Sequence, residues 1–174
     1  MPNLSFVAAQ AEDIPRLQRL AAEIWRAHYP AIISIEQIDY MLARMYAADV
    51  IARELRTGVV WELIRQDGEA VGFLSYGQEP AAGVLKLHKL YLQVGRHGQG
   101  LGQAALAYVK DVAAERGARE ISLCVNKNNH KAIRAYQRAG FTIAESLVTA
   151  IGGGFVMDDH RMTFACAGFP NRRG

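Results

Sequence analysis

Cysteine, proline and concentrated charge are all scarce in this sequence of 174 residues, which contains two cysteines and five prolines. Cys124 and Cys166 belong to no CxxC or CxxH motif, so neither a zinc site nor a dithiol redox motif is predicted. Each cysteine lies in an apolar segment, and we expect both to be small buried core residues. The sequence therefore predicts no metal site.

Positive charge is not gathered into a long run anywhere in the chain. Twenty Lys and Arg residues stand against 17 Asp and Glu, which leaves a formal charge of +3, and the longest basic run is Arg172-Arg173. Nucleic-acid-binding proteins usually present a dense basic face to the phosphates. No nucleic-acid partner is expected.

Long apolar runs are also missing. Charged residues or glycines interrupt the apolar segments well before the roughly 18–20 residues that a membrane-spanning helix needs. Residues 1–10 contain neither the basic segment nor the apolar segment of a secretory signal. We expect a cytoplasmic protein without a membrane partner.

What the sequence does contain is typical of a globular enzyme domain. Hydrophobic residues make up 51% and charged residues 21% of the chain, which excludes disordered, collagen-like and disulfide-scaffold proteins. At roughly 100–200 residues per domain, the length predicts one domain over residues 1–174.

Hydrophobic periodicity and turn residues predict the order β, α, α, α, β, β, β, α, β, α, β, β. An antiparallel group of strands thus precedes a β-α-β unit. The fold class is α/β (α+β), with a mixed, mainly antiparallel sheet of about seven strands and helices on both faces. The predicted strands cover residues 4–8, 59–66, 70–76, 84–93, 121–125, 141–148 and 156–166, and the predicted helices begin near 14, 34, 48, 101 and 129.

The strongest local signal is a glycine-rich turn between a strand and a helix. Gly98, Gly100 and Gly102 recur at a spacing of two, so successive backbone N–H groups can converge on a phosphate at the positive end of the helix. A tight turn that merely needs glycine remains the alternative. No Gly-Lys-Ser or Gly-Lys-Thr of a P-loop is present, and a dinucleotide fold requires this turn after its first strand, which disfavours a dehydrogenase.

Two segments resemble the signatures of one family. Arg96-His97-Gly98-Gln99-Gly100-Leu101-Gly102 is similar to the acyl-CoA pyrophosphate loop of the GNAT N-acetyltransferase superfamily, and Asn129-x-x-Ala132-x-x-x-Tyr136-x-x-x-Gly140-Phe141 is similar to its second motif. The likeness is greatest to small-molecule or polyamine-type members. His97 occupies the position that is usually Arg or Gln, with Arg96 one residue earlier.

The resemblance implies acetyl-CoA as co-substrate. Main-chain groups of the strand would pair with its pantetheine, the N–H of Leu92 would polarise the thioester carbonyl, and Asn129 would bind a pantetheine amide. For Asn129 an ordinary helix N-cap is an equal alternative. The residues that the resemblance places at the cofactor are Leu90, Tyr91, Leu92, His97, Gly98, Gln99, Gly100, Leu101, Gly102, Gln103, Asn129 and Ala132.

Two residues are the candidates for proton transfer. Tyr136 would protonate the departing thiolate of coenzyme A, and the alternative is a packed aromatic ring with a solvated hydroxyl. His88 shares a strand face with Leu90 and Leu92 and, with an ordinary pKa of about 6.5, suits removal of the amine proton. Water as the base and a purely structural histidine both remain open.

The acceptor implied by the resemblance is a primary amine on a small molecule, a polyamine or a peptide. A non-catalytic acyl-CoA-binding module is the alternative function, and a homodimer is an open expectation. Residues considered for the acceptor pocket are Trp25, Tyr29, Tyr40, Trp61, Tyr76, Phe155 and Asp158, with core packing as the default for most of the aromatic ones.

Overall fold

The computed structural model describes residues 3–168 of the chain. Its strands are β1 (Leu4–Ala8), β2 (Val60–Gln66), β3 (Glu69–Gln78), β4 (Val84–Leu92), β5 (Glu120–Asn126), β6 (Thr142–Gly152) and β7 (Phe155–Ala165). Its α-helices are α1 (Ile14–His28), α2 (Ile35–Met45), α3 (Ala48–Arg56), α4 (Leu101–Glu115) and α5 (His130–Arg138). Over these residues the seven strands form one mixed sheet in the order β1-β2-β3-β4-β5-β7-β6. The predicted fold class is confirmed.

The chain divides into two compact units. The first unit comprises the residues up to Tyr76 together with Lys89–Leu101, and the second comprises Gly77–His88 together with the residues from Gly102 onward. The single domain over residues 1–174 stays a prediction. Within residues 3–168, no helix is both long enough and apolar enough to cross a membrane.

In the first unit, α1 buries one apolar stripe. Leu17, Ala21, Ile24 and Trp25 recur at helical spacing and are each at most 2% exposed. The predicted cap of α2 is also present, because the Ser34 Oγ accepts a hydrogen bond of 3.1 Å from the backbone N–H of Gln37.

The β2–β3 hairpin of the first unit turns as the sequence predicts. Asp67 and Gly68 have φ angles of 51° and 85°, which is the pattern of a type I′ turn. The hairpin also supplies two members of an aromatic cluster that fills the centre of this unit. The cluster consists of Trp25, Tyr29, Tyr46, Trp61, Phe73 and Tyr91.

The second unit is built around β5. Ile121, Leu123 and Val125 alternate along this strand and are buried. β5 pairs in parallel with the start of β4 and antiparallel with β7, and β7 pairs antiparallel with β6.

Two expectations for the second unit are wrong. β6 continues to Gly152 instead of ending near 148, because its ladder with β7 continues until Gly152 lies opposite Phe155. Cys124 is exposed, whereas Cys166 is buried as expected. Cys124 lies between Leu123 and Val125, so strand alternation turns its side chain to the opposite face from these two buried neighbours.

Candidate functional site

The glycine-rich turn in the first unit lies directly before α4. Gly98 and Gly100 have φ angles of 80° and 77°, a left-handed backbone conformation that residues other than glycine rarely adopt. A Cβ atom added at either position would meet no other atom within 4 Å. The glycines are therefore needed for the path of the backbone rather than to relieve crowding, and the space on the Cβ side of each glycine is open.

Arg96 is held by neighbouring strands. Its two terminal guanidinium nitrogens donate to the Gln66 Oε1 at 3.0 Å and the Glu69 Oε2 at 2.9 Å. The Gln66 side-chain amide in turn donates to the Gln99 Oε1 at 3.3 Å. Two side chains of the turn are thus braced against the β2–β3 hairpin, and the predicted anion site depends chiefly on backbone N–H groups.

His97, which replaces the usual Arg or Gln, also contacts the protein itself. Its Nε2 lies 3.0 Å from the carbonyl oxygen of Leu92, so the ring nitrogen donates this hydrogen bond. The interaction joins the turn to the last residue of β4. This geometry gives His97 a positioning role, and a contact with a pyrophosphate stays a prediction.

Contacts of Tyr29 and Gly72 with Tyr91 also fix the end of β4. The hydroxyl groups of Tyr91 and Tyr29 lie 3.2 Å apart. The Tyr91 carbonyl oxygen lies 2.2 Å from the position of a Cβ atom on Gly72, so only glycine permits this approach. The main chain of Leu90 to Leu92, where the cofactor strand is expected to pair, is therefore held firmly in place.

His88 belongs to the second unit and is exposed. It lies on β4 two residues beyond Lys86, which together with Ser122 forms the last pair of the parallel ladder between Val84–Lys86 and Glu120–Ser122. An exposed histidine at this point can exchange protons with solvent. Its role as a base stays a prediction.

Asn129 is both a cap and a buried polar group. It precedes α5, and its Oδ1 accepts a hydrogen bond from the backbone N–H of Ala132 at 3.4 Å. Asn129 is only 6% exposed. The N-cap alternative is confirmed, and a second role in binding a ligand stays a prediction.

Tyr136 lies seven residues after Asn129, nearly two helical turns along the same segment. Its half-buried ring packs edge to face on Phe141, with 5.9 Å between the ring centroids. The Gln103 side-chain amide donates to the Ala135 carbonyl oxygen at 3.0 Å, which fixes α5 to α4. Because that amide is engaged, a cofactor contact from Gln103 would come from its main chain.

The aromatic residues considered for an acceptor pocket are mostly core. Trp25, Tyr29, Trp61 and Tyr76 are between 0% and 8% exposed. Tyr40 is half-buried and accepts a hydrogen bond of 3.0 Å from a neighbouring arginine of α2. In the second unit Phe155 is half-buried, and Asp158 forms an ion pair with Lys127.

Sequence reasoning missed three buried charged residues, Glu62, Lys89 and Asp159. Lys89, 8% exposed, places its Nζ 4.8 Å from the centroid of the Trp61 ring. Asp159, 6% exposed, has its pKa raised by burial and next by the neighbouring Asp158. The apolar neighbours of Lys89 in the sequence indicate burial. In contrast, nothing in the sequence shows that Asp159 is the buried aspartate and Asp158 the one that pairs with Lys127.

Within residues 3–168, no group of three or more His, Cys, Asp or Glu side chains is arranged to hold a metal ion. The fold defines a class of protein, an α/β domain with a mixed seven-strand sheet and an open glycine turn before a helix. The model of the acetyltransferase (GNAT) family matches residues 15–141. This chain belongs to that family, as the sequence resemblance predicted.

Individual relatives agree with this assignment. An uncharacterised N-acetyltransferase of Mycobacterium tuberculosis is 39% identical over 79 residues, which cover 45% of this chain and 50% of the relative. The match thus spans about half the length of this curated relative. The spermidine N(1)-acetyltransferase of Thermoplasma acidophilum is 22% identical over 152 residues, 84% of this chain and 91% of that protein.

The solved structures show the same fold. The PaiA N-acetyltransferase of Thermoplasma acidophilum in complex with coenzyme A superposes with a TM-score of 0.78 at 20% identity, over 94% of this chain and 99% of that one. At this level of identity, the likeness concerns the fold.

Proposed function

We propose that this protein transfers the acetyl group of acetyl-CoA to a primary amine. The observation that carries the proposal is the turn at Gly98 and Gly100, where a Cβ atom would meet no other atom within 4 Å, in a chain of the acetyltransferase family. A preformed set of N–H donors before a helix is suited to a pyrophosphate. The relative solved with coenzyme A supports the same ligand.

Binding of acetyl-CoA would depend on main-chain groups. Because Arg96 is paired with Glu69 and hydrogen-bonded to Gln66, positive character at the turn comes mainly from N–H groups and the start of α4. The backbone of Leu90, Tyr91 and Leu92 would pair with the pantetheine as an added strand does. The N–H of Leu92 is the proposed donor to the thioester carbonyl oxygen as it gains negative charge.

The chemical step is a direct attack in a ternary complex. The amine nitrogen forms a bond to the acetyl carbon, the carbon–sulfur bond breaks, and the sulfur leaves as a thiolate. We assign Tyr136 as the acid that donates its phenol proton to this sulfur. Since a phenol has an ordinary pKa of about 10 and a thiol about 8.5, the transfer is modestly uphill and is completed when solvent reprotonates the phenol.

The amine must lose a proton to attack. An alkylammonium with a pKa of about 10.4 costs roughly 4–5 kcal/mol to deprotonate at pH 7. Exposed His88, alone or through water, is the proposed base.

A polyamine is the first acceptor to test. The relative from Thermoplasma acidophilum that aligns over most of this chain is a spermidine acetyltransferase. Asp158 and Asp159 in the second unit bring negative charge that suits a cationic acceptor, although Asp158 already pairs with Lys127. Peptide amines are the alternative acceptors.

The decisive experiment measures thiol release from acetyl-CoA across spermidine, spermine, simple alkylamines and peptides with free N-termini. We expect saturable release with the polyamines. Saturation by peptides alone would overturn the small-molecule assignment. Tight binding of acetyl-CoA with no transfer to any amine would favour the non-catalytic acyl-CoA-binding module.

Tyr136→Phe tests the proposed acid. The phenylalanine keeps the contact with Phe141 and removes only the hydroxyl, so we expect kcat to fall about 100-fold, the lower end of what a general acid contributes, with acetyl-CoA binding unchanged. Tyr108→Phe, the same change at a half-buried tyrosine of α4, is the control. Equal activity of the two variants would remove Tyr136 from the chemistry.

His88→Gln tests the proposed base. Loss of the imidazole should lower turnover chiefly by flattening the rise of rate with pH. An unchanged pH profile would assign proton removal to water.

A further inference from the structure

The first unit also contains an arginine-rich cleft. It has a volume of about 500 Å³ and lies between α1 and the β2–β3 hairpin. Its charged lining residues are Arg16, Arg19, Glu23, Arg65 and Glu69. None of them belongs to the glycine turn or to the residues proposed above for catalysis.

The arginines and the carboxylates of this cleft differ in their partners. Glu23 accepts a hydrogen bond of 3.2 Å from the Gln93 side-chain amide, and Glu69 is paired with Arg96 at 2.9 Å. Arg16 and Arg19 have no ion pair or side-chain hydrogen bond within residues 3–168. Glu69 is thus neutralised by Arg96, whereas Glu23 keeps its negative charge; against it the cleft presents three guanidinium groups that have no ion pair among the described residues.

Arg65 provides independent evidence for a ligand. Its Nε is buried and has no hydrogen-bond partner among the described residues. Buried donors in native proteins are nearly always paired, so an exception that lines a cleft indicates an acceptor supplied from outside the chain.

The arrangement of the guanidinium groups indicates which acceptor. Arg16 and Arg19 are three residues apart on α1 and therefore lie on one helix face. A guanidinium presents parallel N–H donors that match the paired oxygens of a phosphate. Three guanidinium groups offer more N–H donors than one phosphate group needs, which favours a ligand with two or more phosphates.

We propose that the cleft of Arg16, Arg19 and Arg65 binds a di- or triphosphate group, either as the inorganic ion or as part of a nucleotide. The site is separate from the acetyl-CoA turn, and the proposal does not depend on the acetyltransferase activity. No aromatic side chain among residues 3–168 lines the cleft, so recognition would rest on the phosphates.

Calorimetric titration with inorganic pyrophosphate at fixed ionic strength tests the proposal. We expect Arg16→Gln/Arg19→Gln to weaken binding at least tenfold. Both side chains are exposed, so the fold should be retained, which thermal unfolding would verify. The control is Arg53→Gln/Arg56→Gln, which removes the same charge from exposed positions of α3 in the same unit. It should bind within twofold of the natural protein.

Arg65→Lys provides the second variant. The lysine keeps the positive charge but removes the buried Nε–H and the planar fork, so we expect pyrophosphate affinity to fall several-fold. A parallel titration of the natural protein and of Arg16→Gln/Arg19→Gln with ADP separates the two sources of the phosphate. A larger loss of affinity for ADP than for pyrophosphate in the variant supports a nucleotide, and a smaller loss supports the inorganic ion.

Three results would overturn the proposal. The first is no binding of pyrophosphate. The second is an equal loss of affinity in the α3 control, which would reveal general electrostatic attraction. The third is full binding by the Arg16→Gln/Arg19→Gln and Arg65→Lys variants, which would place pyrophosphate on the glycine turn.

Discussion

Gly72 on β3 is a position where the addition of a single methyl group should strongly destabilise the fold. A Cβ atom there would lie 2.2 Å from the Tyr91 carbonyl oxygen and 3.1 Å from the Leu92 Cα. Both obstacles are backbone atoms, so no side-chain rotation can relieve the overlap. Gly72→Ala can therefore be accommodated only if the β3 and β4 backbones move apart.

The size of the overlap sets the expected cost. Ordinary carbon–oxygen contacts exceed 3 Å, so the two strands must separate by close to 1 Å near the point where the Gln93 N–H donates to the Val71 carbonyl at 2.9 Å. Overpacking of this kind costs about 2–3 kcal/mol in the free energy of unfolding. At about 2–4 °C per kcal/mol for a domain of this size, Tm should fall by roughly 4–12 °C.

Catalysis should suffer as well. The displaced segment, Tyr91 to Leu92, carries the main-chain groups that we propose for the pantetheine and the thioester carbonyl. KM for acetyl-CoA should rise in Gly72→Ala at temperatures where the variant is fully folded.

Gly95→Ala is the matched control. A Cβ at Gly95 would meet nothing within 4 Å, and its φ angle is not positive, so alanine should be neutral or stabilising by up to about 1 kcal/mol. Thermal and urea unfolding of both variants decide the question. A Gly72→Ala protein within 1 °C of the natural one, or an equal loss in Gly95→Ala, would refute the steric argument.

Two titratable groups give further predictions. Burial raises the pKa of Asp159, so the folded state binds its proton more tightly than the unfolded state, and its ionisation lowers stability as pH rises through the folded-state pKa. Asp159→Asn should therefore raise Tm more at pH 7 than at pH 4, and an equal effect at both pH values would contradict this. Although Cys124 is exposed, desolvation by the protein around its thiol raises the thiol pKa, so iodoacetamide should alkylate it more slowly at pH 8 than it alkylates free cysteine, with a rate that still increases above pH 9. Cys124→Ser is the control, and alkylation at the rate of free cysteine would show that the thiol is not shielded.

Local signals predicted most of the fold. The Asp67-Gly68 turn, the Ser34 cap and the glycine turn each depend on a few adjacent residues, whose backbone preferences are visible in the sequence. The alternation of Ile121, Leu123 and Val125 likewise revealed a strand. The extension of β6 to Gly152 was missed because it depends on pairing with β7, and its own residues are mostly exposed.

The burial of individual polar side chains was less predictable. Cys124 and Cys166 have similar apolar neighbours in sequence, yet one is exposed and the other buried. The difference arises from the face of the strand on which each side chain lies and from what covers that face. The same reason hid Lys89 and Asp159, whose surroundings come from segments far away in the chain.

The glycine turn shows why a charged residue in a motif need not contribute to the predicted site. Arg96 is the basic residue of the loop that the sequence resembles, but in the structure it pairs with Glu69 and donates a hydrogen bond to Gln66. A group already satisfied by a carboxylate adds little net charge at the ligand, so the remaining attraction must come from N–H groups that composition does not count. Three arginines without an ion pair among the described residues, Arg16, Arg19 and Arg65, lie instead in the cleft between α1 and the β2–β3 hairpin. The backbone site proposed at the turn and the arginine cleft are therefore two different candidate anion sites in this unit.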